Sequence, residues 1–162
     1  MDWKRLYQLQ AELDQHIMDS IPQTRQGVYH DKLLALVVEV SELANETRCF
    51  KYWSQKGPSD REVILEEYVD GIHFILSLGL DLGIEFDQNA LQSVEVESLT
   101  DSFHTIYSQV ERLKTEPTQT NYNQLMNQYL ALGRALSFST HDVVQAYLAK
   151  NEKNHERQDL GY

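Results

Sequence analysis

Four carboxylates, arranged as two pairs each one helical turn apart, are the first residues in this sequence whose types and spacing could do chemistry. Glu39 and Glu42 lie in Leu33-Leu34-Ala35-Leu36-Val37-Val38-Glu39-Val40-Ser41-Glu42-Leu43, and Glu67 and Asp70 in Glu67-Tyr68-Val69-Asp70-Gly71-Ile72-His73-Phe74-Ile75-Leu76. Residues three apart on a helix are neighbours on one face, so each pair projects side by side. At about 100° per residue, Glu67 and Asp70 share a side with Val63 and Phe74, while Leu65, Val69, Ile72, Ile75 and Leu76 fill the remaining sides. A helix that is apolar nearly all round is expected to be buried. Carboxylates tolerate burial only when they are paired or coordinate something. A salt bridge from another helix would serve, and so would a shared cation. A lone Glu-x-x-Glu is common on solvated helices, but the second pair sits inside an apolar one. The short connection between the two segments makes them antiparallel neighbours, which favours the cation. Hard oxygen ligands in that number suit Mg²⁺.

The elements that must position these groups read as helices throughout. No period-two alternation bounded by turn residues survives for a strand, and Pro22, Pro58 and Pro117 all fall where the helical pattern lapses. The expected fold is all-α: a helical bundle on a four-helix core, with the acidic helices antiparallel and about six helices in all. The first spans about residues 2–19, with Leu6, Leu9, Leu13 and Ile17 on one stripe. The second spans about 31–50 with Asp31 as a candidate cap. The third starts after Ser59 or Asp60 and continues to about residue 83. A fourth, more polar helix is expected over 87–114, a fifth over 121–138, and a sixth over 140–155 capped by Thr140. With 162 residues, 24% charged and 41% hydrophobic, a single domain over residues 1–162 is expected.

Two further stretches carry chemistry. Phe50-Lys51-Tyr52-Trp53, in the loop between the acidic helices, puts a cation and large aromatics close to the carboxylates. Such residues anchor a core or offer a stacking surface for a base with a cation for a phosphate. Near the C-terminus, Lys150, Asn154 and Arg157 lie at i, i+4 and i+7, one helical face. Residues 150–157 hold three of the chain's 14 basic residues. This face reads as a phosphate clamp, or as a cationic helix end complementing the macrodipole.

The net charge of −11 argues against a nucleic-acid polymer as partner, but not against a small phosphorylated ligand held through a cation. The single cysteine, Cys49, excludes an intramolecular disulfide. No signal-peptide pattern opens the chain and no apolar run is long enough to span a bilayer, so a cytoplasmic protein without membrane contact is expected.

Glu-x-x-Glu, 24 intervening residues and Glu-x-x-Asp resemble the signature of the all-α nucleoside triphosphate pyrophosphohydrolases, the MazG-like superfamily. More narrowly, five segments resemble the motifs of the dimeric dUTPases from end to end of the chain. They are Leu9-Gln10-x-x-Leu13-Asp14, Glu39-Val-Ser-Glu42, Phe50-Lys51-Tyr52-Trp53, Glu67-Tyr-Val-Asp70 and Lys150-Asn-x-x-Asn154-x-x-Arg157-Gln-x-x-Gly161-Tyr162. The resemblance implies a Mg²⁺-dependent dUTP diphosphatase giving dUMP and pyrophosphate, and a homodimer. It implies that Glu39, Glu42, Glu67 and Asp70 hold about two or three Mg²⁺ ions and that Glu39 deprotonates the attacking water. Glu46, a further turn along from Glu42, becomes a candidate additional ligand. Gln10, Asp14 and Trp53 are implied at the base, and Lys51, Lys150, Asn154 and Arg157 at the phosphates. Asp14 stands where such proteins often have an amide, and a carboxylate cannot donate to uracil O4. Few large apolar residues follow Leu148, so a mobile tail from about residue 151 is expected. A broader (d)NTP or dCTP pyrophosphohydrolase is the enzymatic alternative. An acidic helical interaction module is the alternative of another class, favoured if Glu67 and Asp70 are solvated.

Overall fold

The structure, a computed structural model, describes residues 1–161; Tyr162, the last residue of the C-terminal motif, lies outside them. Among the described residues there are six α-helices and no strand: α1 Trp3–Asp19, α2 Tyr29–Thr47, α3 Arg61–Leu82, α4 Leu99–Thr115, α5 Gln119–Ala135 and α6 Thr140–Asp159. The all-α bundle expected from periodicity is the observed fold.

The bundle is built around α3. Its apolar surround predicts a central helix, and α1, α2, α5 and α6 all pack on it. Val69, Ile72, Ile75, Leu76 and Leu78 are fully buried. α2 and α3 run antiparallel, since Lys32 meets Asp81 at one end while Glu39 approaches Glu67 and Asp70 further along. α6 runs parallel to α1. The Tyr147 hydroxyl reaches Gln10, Asn151 reaches the Leu9 carbonyl, and His155 Nδ1 lies 2.9 Å from His16 Nδ1. Residues 151–159, where a mobile tail was expected, are the last turns of α6 in this structure.

A reciprocal contact sets the approach of α3 to α5. Tyr68 on α3 and Tyr129 on α5 stack with centroids 4.8 Å apart, and each hydroxyl donates to the other residue's backbone carbonyl, at 3.1 and 2.9 Å. Each ring lies over a glycine of the opposite helix, Tyr129 over Gly71 and Tyr68 over Gly133, where a Cβ would overlap the phenol. Gly71 directly follows Asp70, so this contact also fixes the depth of a candidate ligand.

Helix boundaries and caps differ from expectation at several places. The fourth helix does not begin at residue 87. A 3₁₀ turn occupies Gln88–Ala90, and α4 starts only at Leu99, where the Ser98 hydroxyl caps it by accepting the Asp101 N–H. Side-chain amides of α5 stand in for helical partners in the intervening segment. Asn127 accepts from the Gln92 N–H and donates to the Ala90 carbonyl, and Asn123 accepts from the Asp87 N–H. α2 starts at Tyr29, which puts Asp31 inside its first turn rather than at the cap. Asp60 holds the cap position of α3 without a side-chain capping bond. Ser139, not Thr140, caps α6, in a reciprocal box with Asp142.

The large apolar side chains left exposed lie mostly on α2 and the loop after it: Leu34, Val38, Phe50, Tyr52 and Trp53. Val63 on α3 is exposed as well.

Gly71→Ala tests the α3–α5 contact through the sign of its effect. In an open helix interior Ala is favoured over Gly by about 1 kcal/mol. Here overpacking against Tyr129 should reverse that, with a net loss of about 1–3 kcal/mol in denaturant unfolding.

Candidate active site

Three of the four expected ligands converge. Carboxylate oxygens of Glu39, Glu67 and Asp70 lie within 4.8 Å of one another, and all three residues are half-buried. Glu42 is exposed, yet close enough that its charge helps raise the pKa of Glu39 and Glu67. Burial is the larger cause for both, followed for both by the charge of Asp70, and it pushes Glu39 up to about 7. Asp70 is also raised by burial, against the opposing pull of Lys150.

Lys150 is the counter-charge inside the chain. Its ammonium donates to Asp70 Oδ2 at 2.6 Å and to Glu66 Oε1 at 2.9 Å, while Lys153 reaches the same Glu66 oxygen at 3.2 Å. The salt-bridge reading of the second acidic pair is therefore partly realised: Asp70 is paired. No lysine or arginine lies in a salt bridge to Glu39 or Glu67 among the ion pairs of the described residues. Crowded, partly desolvated carboxylates with one cation between them suit a hard divalent ion, so the donor set fits Mg²⁺. Half-burial of Glu67 and Asp70 also weighs against a solvated acidic binding surface.

Two members of the cluster also face a cavity of about 500 Å³ between α1, α2, α3 and α6. Glu39 and Asp70 line it, Lys150, Asn154 and Arg157 line it from α6, and Gln10 and Asp14 line it from α1. Gln10 donates to Asp14 Oδ1 at 2.8 Å, and the Ser77 hydroxyl donates to Asp14 Oδ2 at 2.6 Å. Behind Asp14, Lys32 bonds Asp81 at 2.6 Å, with Lys32 and Arg25 at 3.7 and 3.8 Å from Asp14 itself.

Other expected residues stay apart from this cavity. Glu46 accepts a short hydrogen bond from the Ser59 hydroxyl, which ties α2 to the chain entering α3. Lys51 donates to Asn45 Oδ1 at 2.6 Å, and Trp53 packs edge-on against Tyr52 and Phe50, largely exposed. The loop carrying them is held by Arg48. Its left-handed backbone (φ 57°) ends α2, and its guanidinium donates to Ser54 Oγ and the Lys56 carbonyl. Residues that spacing did not single out are His73, Ser77, Phe74 and Lys32, all in the cavity wall. His73 and Ser77 carried a usable signal as polar residues inside an apolar helix, three and seven positions after Asp70.

A model of the dUTPase family matches residues 2–162, and the chain belongs to that family. It is a nucleoside triphosphate pyrophosphohydrolase of the all-α kind. No curated protein matches the chain. Among the described residues, no helix is long and apolar enough to cross a membrane.

The raised carboxyl pKa values give a signed pH effect. A carboxyl group whose folded pKa lies above its unfolded one stabilises the fold below the unfolded value, and that contribution is lost as pH rises through the folded value. Between about pH 4.5 and 7 the metal-free protein should therefore lose stability through Glu39. Glu39→Gln should melt close to wild type at pH 5 and above it at pH 8 in chelator. Saturating Mg²⁺ should erase or reverse that advantage, because a ligand of the folded state stabilises only the protein that binds it.

Proposed function

We propose that the protein hydrolyses dUTP to dUMP and pyrophosphate with Mg²⁺ held by Glu39, Glu67 and Asp70, and by Glu42 once its side chain turns inward. The reading is carried by one observation: Glu39 and Asp70 of the carboxylate cluster, the amide–carboxylate pair on α1 and the basic face of α6 all line a single cavity. Mg²⁺, when bound, supplies Lewis-acid neutralisation of phosphate charge. Glu39 takes the proton of the attacking water at a carboxylate oxygen. Burial, then the charges of Asp70, Glu42 and Glu67, push its pKa up to about 7, the range of a general base. Lys150 leaves Asp70 and Glu66 to meet the phosphate chain, together with Asn154 and Arg157. Gln10 and Asp14 lie at the base.

Trp53 and Lys51 reach a base and phosphate only as part of a larger assembly. A homodimer that covers Leu34, Val38, Phe50 and Tyr52 accounts for the exposed apolar surface beside them. The proposed setting is cytoplasmic.

Pyrophosphate release measured across dUTP, UTP, dTTP and dCTP with Mg²⁺ tests the reading. dUTP should give the highest kcat/KM, and Asp70→Asn should abolish turnover of it. Equal turnover of dUTP and UTP would mean a general hydrolase.

The end of α6 is a second test. It is docked by polar contacts, Asn151 to the Leu9 carbonyl at 3.5 Å and the His16–His155 pair, and residues from about 151 onward are proposed to loosen without nucleotide. Protease should cut there more slowly with a non-hydrolysable dUTP analogue and Mg²⁺. Arg157→Ala should cost about 1.5–3 kcal/mol of transition-state binding, roughly one to two orders of magnitude in rate, with Mg²⁺ affinity unchanged.

A further inference from the structure

Gln10 is almost fully buried, and its amide is bonded at both ends. Its Nε2 lies 2.8 Å from Asp14 Oδ1. An ionised carboxylate only accepts, so the amide end facing Asp14 must be the nitrogen. Oε1 then faces the other way, 2.8 Å from His73 Nδ1 and 2.9 Å from the Tyr147 hydroxyl. A carbonyl oxygen also only accepts, so His73 must carry its proton on Nδ1 and Tyr147 must donate. This tautomer leaves His73 Nε2 as a bare lone pair, and that atom is buried without a partner. An unpaired buried acceptor is tolerated more readily than an unpaired buried N–H, so the orphan supports the same tautomer. Burial pulls the His73 pKa down to about 3, which keeps the ring neutral. The His73 and Tyr147 rings stack at 4.1 Å and 17°, so the two donors hold each other in place.

These bonds fix what remains for a ligand. Gln10 keeps one amide hydrogen. Asp14 keeps the lone pairs not taken by Gln10 and Ser77. Both side chains line the cavity, four residues apart on α1.

We propose that His73 and Tyr147 are positioning residues that lock Gln10 so that Gln10 and Asp14 offer a donor beside an acceptor, the complement of O4 and N3–H on a uracil ring. The inference rests on the reading of this cavity as the nucleotide site. Cytosine presents the opposite polarity on that edge, an amino donor and a ring-nitrogen acceptor. Against Gln10 and Asp14 it would set donor on donor and acceptor on acceptor, inside a buried wall where unpaired polar groups are most costly. The carboxylate at position 14 then has a reason. An amide there could turn to suit either base, whereas Asp14 can only accept.

The experiment measures kcat and KM for dUTP and dCTP with Mg²⁺ for wild type, His73→Phe, Tyr147→Phe and His73→Asn. Phenylalanine at position 73 keeps a ring on Tyr147 but removes the Nδ1–H, and Tyr147→Phe removes only the hydroxyl. Asparagine places an N–H where Nδ1 was. The ratio of kcat/KM for dUTP over dCTP should fall about tenfold or more in the two phenylalanine variants, the scale of a buried carbonyl losing a donor. The fall should come mainly from a raised KM for dUTP, and His73→Asn should recover most of the ratio. Should His73→Phe fail to fold, Tyr147→Phe carries the test by itself. A wild-type enzyme with no preference for dUTP over dCTP overturns the nucleotide-site reading, and the inference with it. A selective wild type whose phenylalanine variants stay equally selective overturns the inference alone.

Discussion

The structure depends on holding three carboxyl groups within 4.8 Å of one another on a scaffold that resists their repulsion. Left to themselves, Glu39, Glu67 and Asp70 would separate α2 from α3. The opposing force is the apolar surface of α3, buried against four helices. The Tyr68–Tyr129 exchange over Gly71 and Gly133 also fixes α3 against α5, because neither of those two helices can back away without losing two hydrogen bonds to buried carbonyls. Of the three, Lys150 bonds only Asp70 directly, and its charge offsets the raised pKa of Glu39 and Glu67 only in part. Its bond to Asp70 places a cation beside the cluster, while Glu39 keeps its raised pKa. The cluster thus keeps uncompensated carboxylate charge, the condition that the proposed divalent cation would relieve.

A polar layer runs from that cluster through the middle of the bundle. Gln10, His73 and Tyr147 join α1, α3 and α6, and Asp14 with Ser77 joins α1 to α3 again one turn further on. Lys32 and Asp81 then tie α2 to the end of α3. Buried networks of this kind fix register, because sliding one helix by a turn would leave several groups unsatisfied together. Gln10, Asp14, Lys32, His73 and Ser77 of this layer also line the cavity, so residues that set helix register face its interior.

Much of this was legible in the sequence. The apolar surround of α3 was enough to place a helix at the centre, and its two carboxylates were conspicuous because such a helix has no use for them. The three-residue spacing put Glu67 and Asp70 on one face and Glu39 opposite them. Spacing could not say that Lys150, some eighty residues away, would sit on Asp70, since that contact follows from how α6 crosses α3. Nor could it separate Glu42 from Glu39, because which carboxylate turns inward depends on rotamer and neighbours. The 87–98 segment misled for a physical reason: its backbone is satisfied by Asn123 and Asn127 from α5, and no local pattern reports a partner that arrives from another helix. His73 was visible as a polar residue in an apolar run, but its tautomer needed Gln10, Tyr147 and Asp14 around it.

The charge distribution resolves an apparent conflict between an overall charge of −11 and a polyanionic substrate. The cationic side chains around the cavity are not spread over the surface. Lys32, Lys150 and Arg157 line it, and Arg25 stands behind Asp14. Lys32 pairs with Asp81, and Arg25 lies 3.7 Å from Asp81 and 3.8 Å from Asp14, so the cations on the α1 side of the cavity each face a buried carboxylate. Lys150 and Arg157 stand at the carboxylate end, where phosphate and cation charges would have to meet. On the proposed reading, a ligand with one uncharged part and one anionic part would suit a cavity whose two sides are built this way from the same four helices. A nucleotide, with its base at one end and its phosphate chain at the other, has that shape.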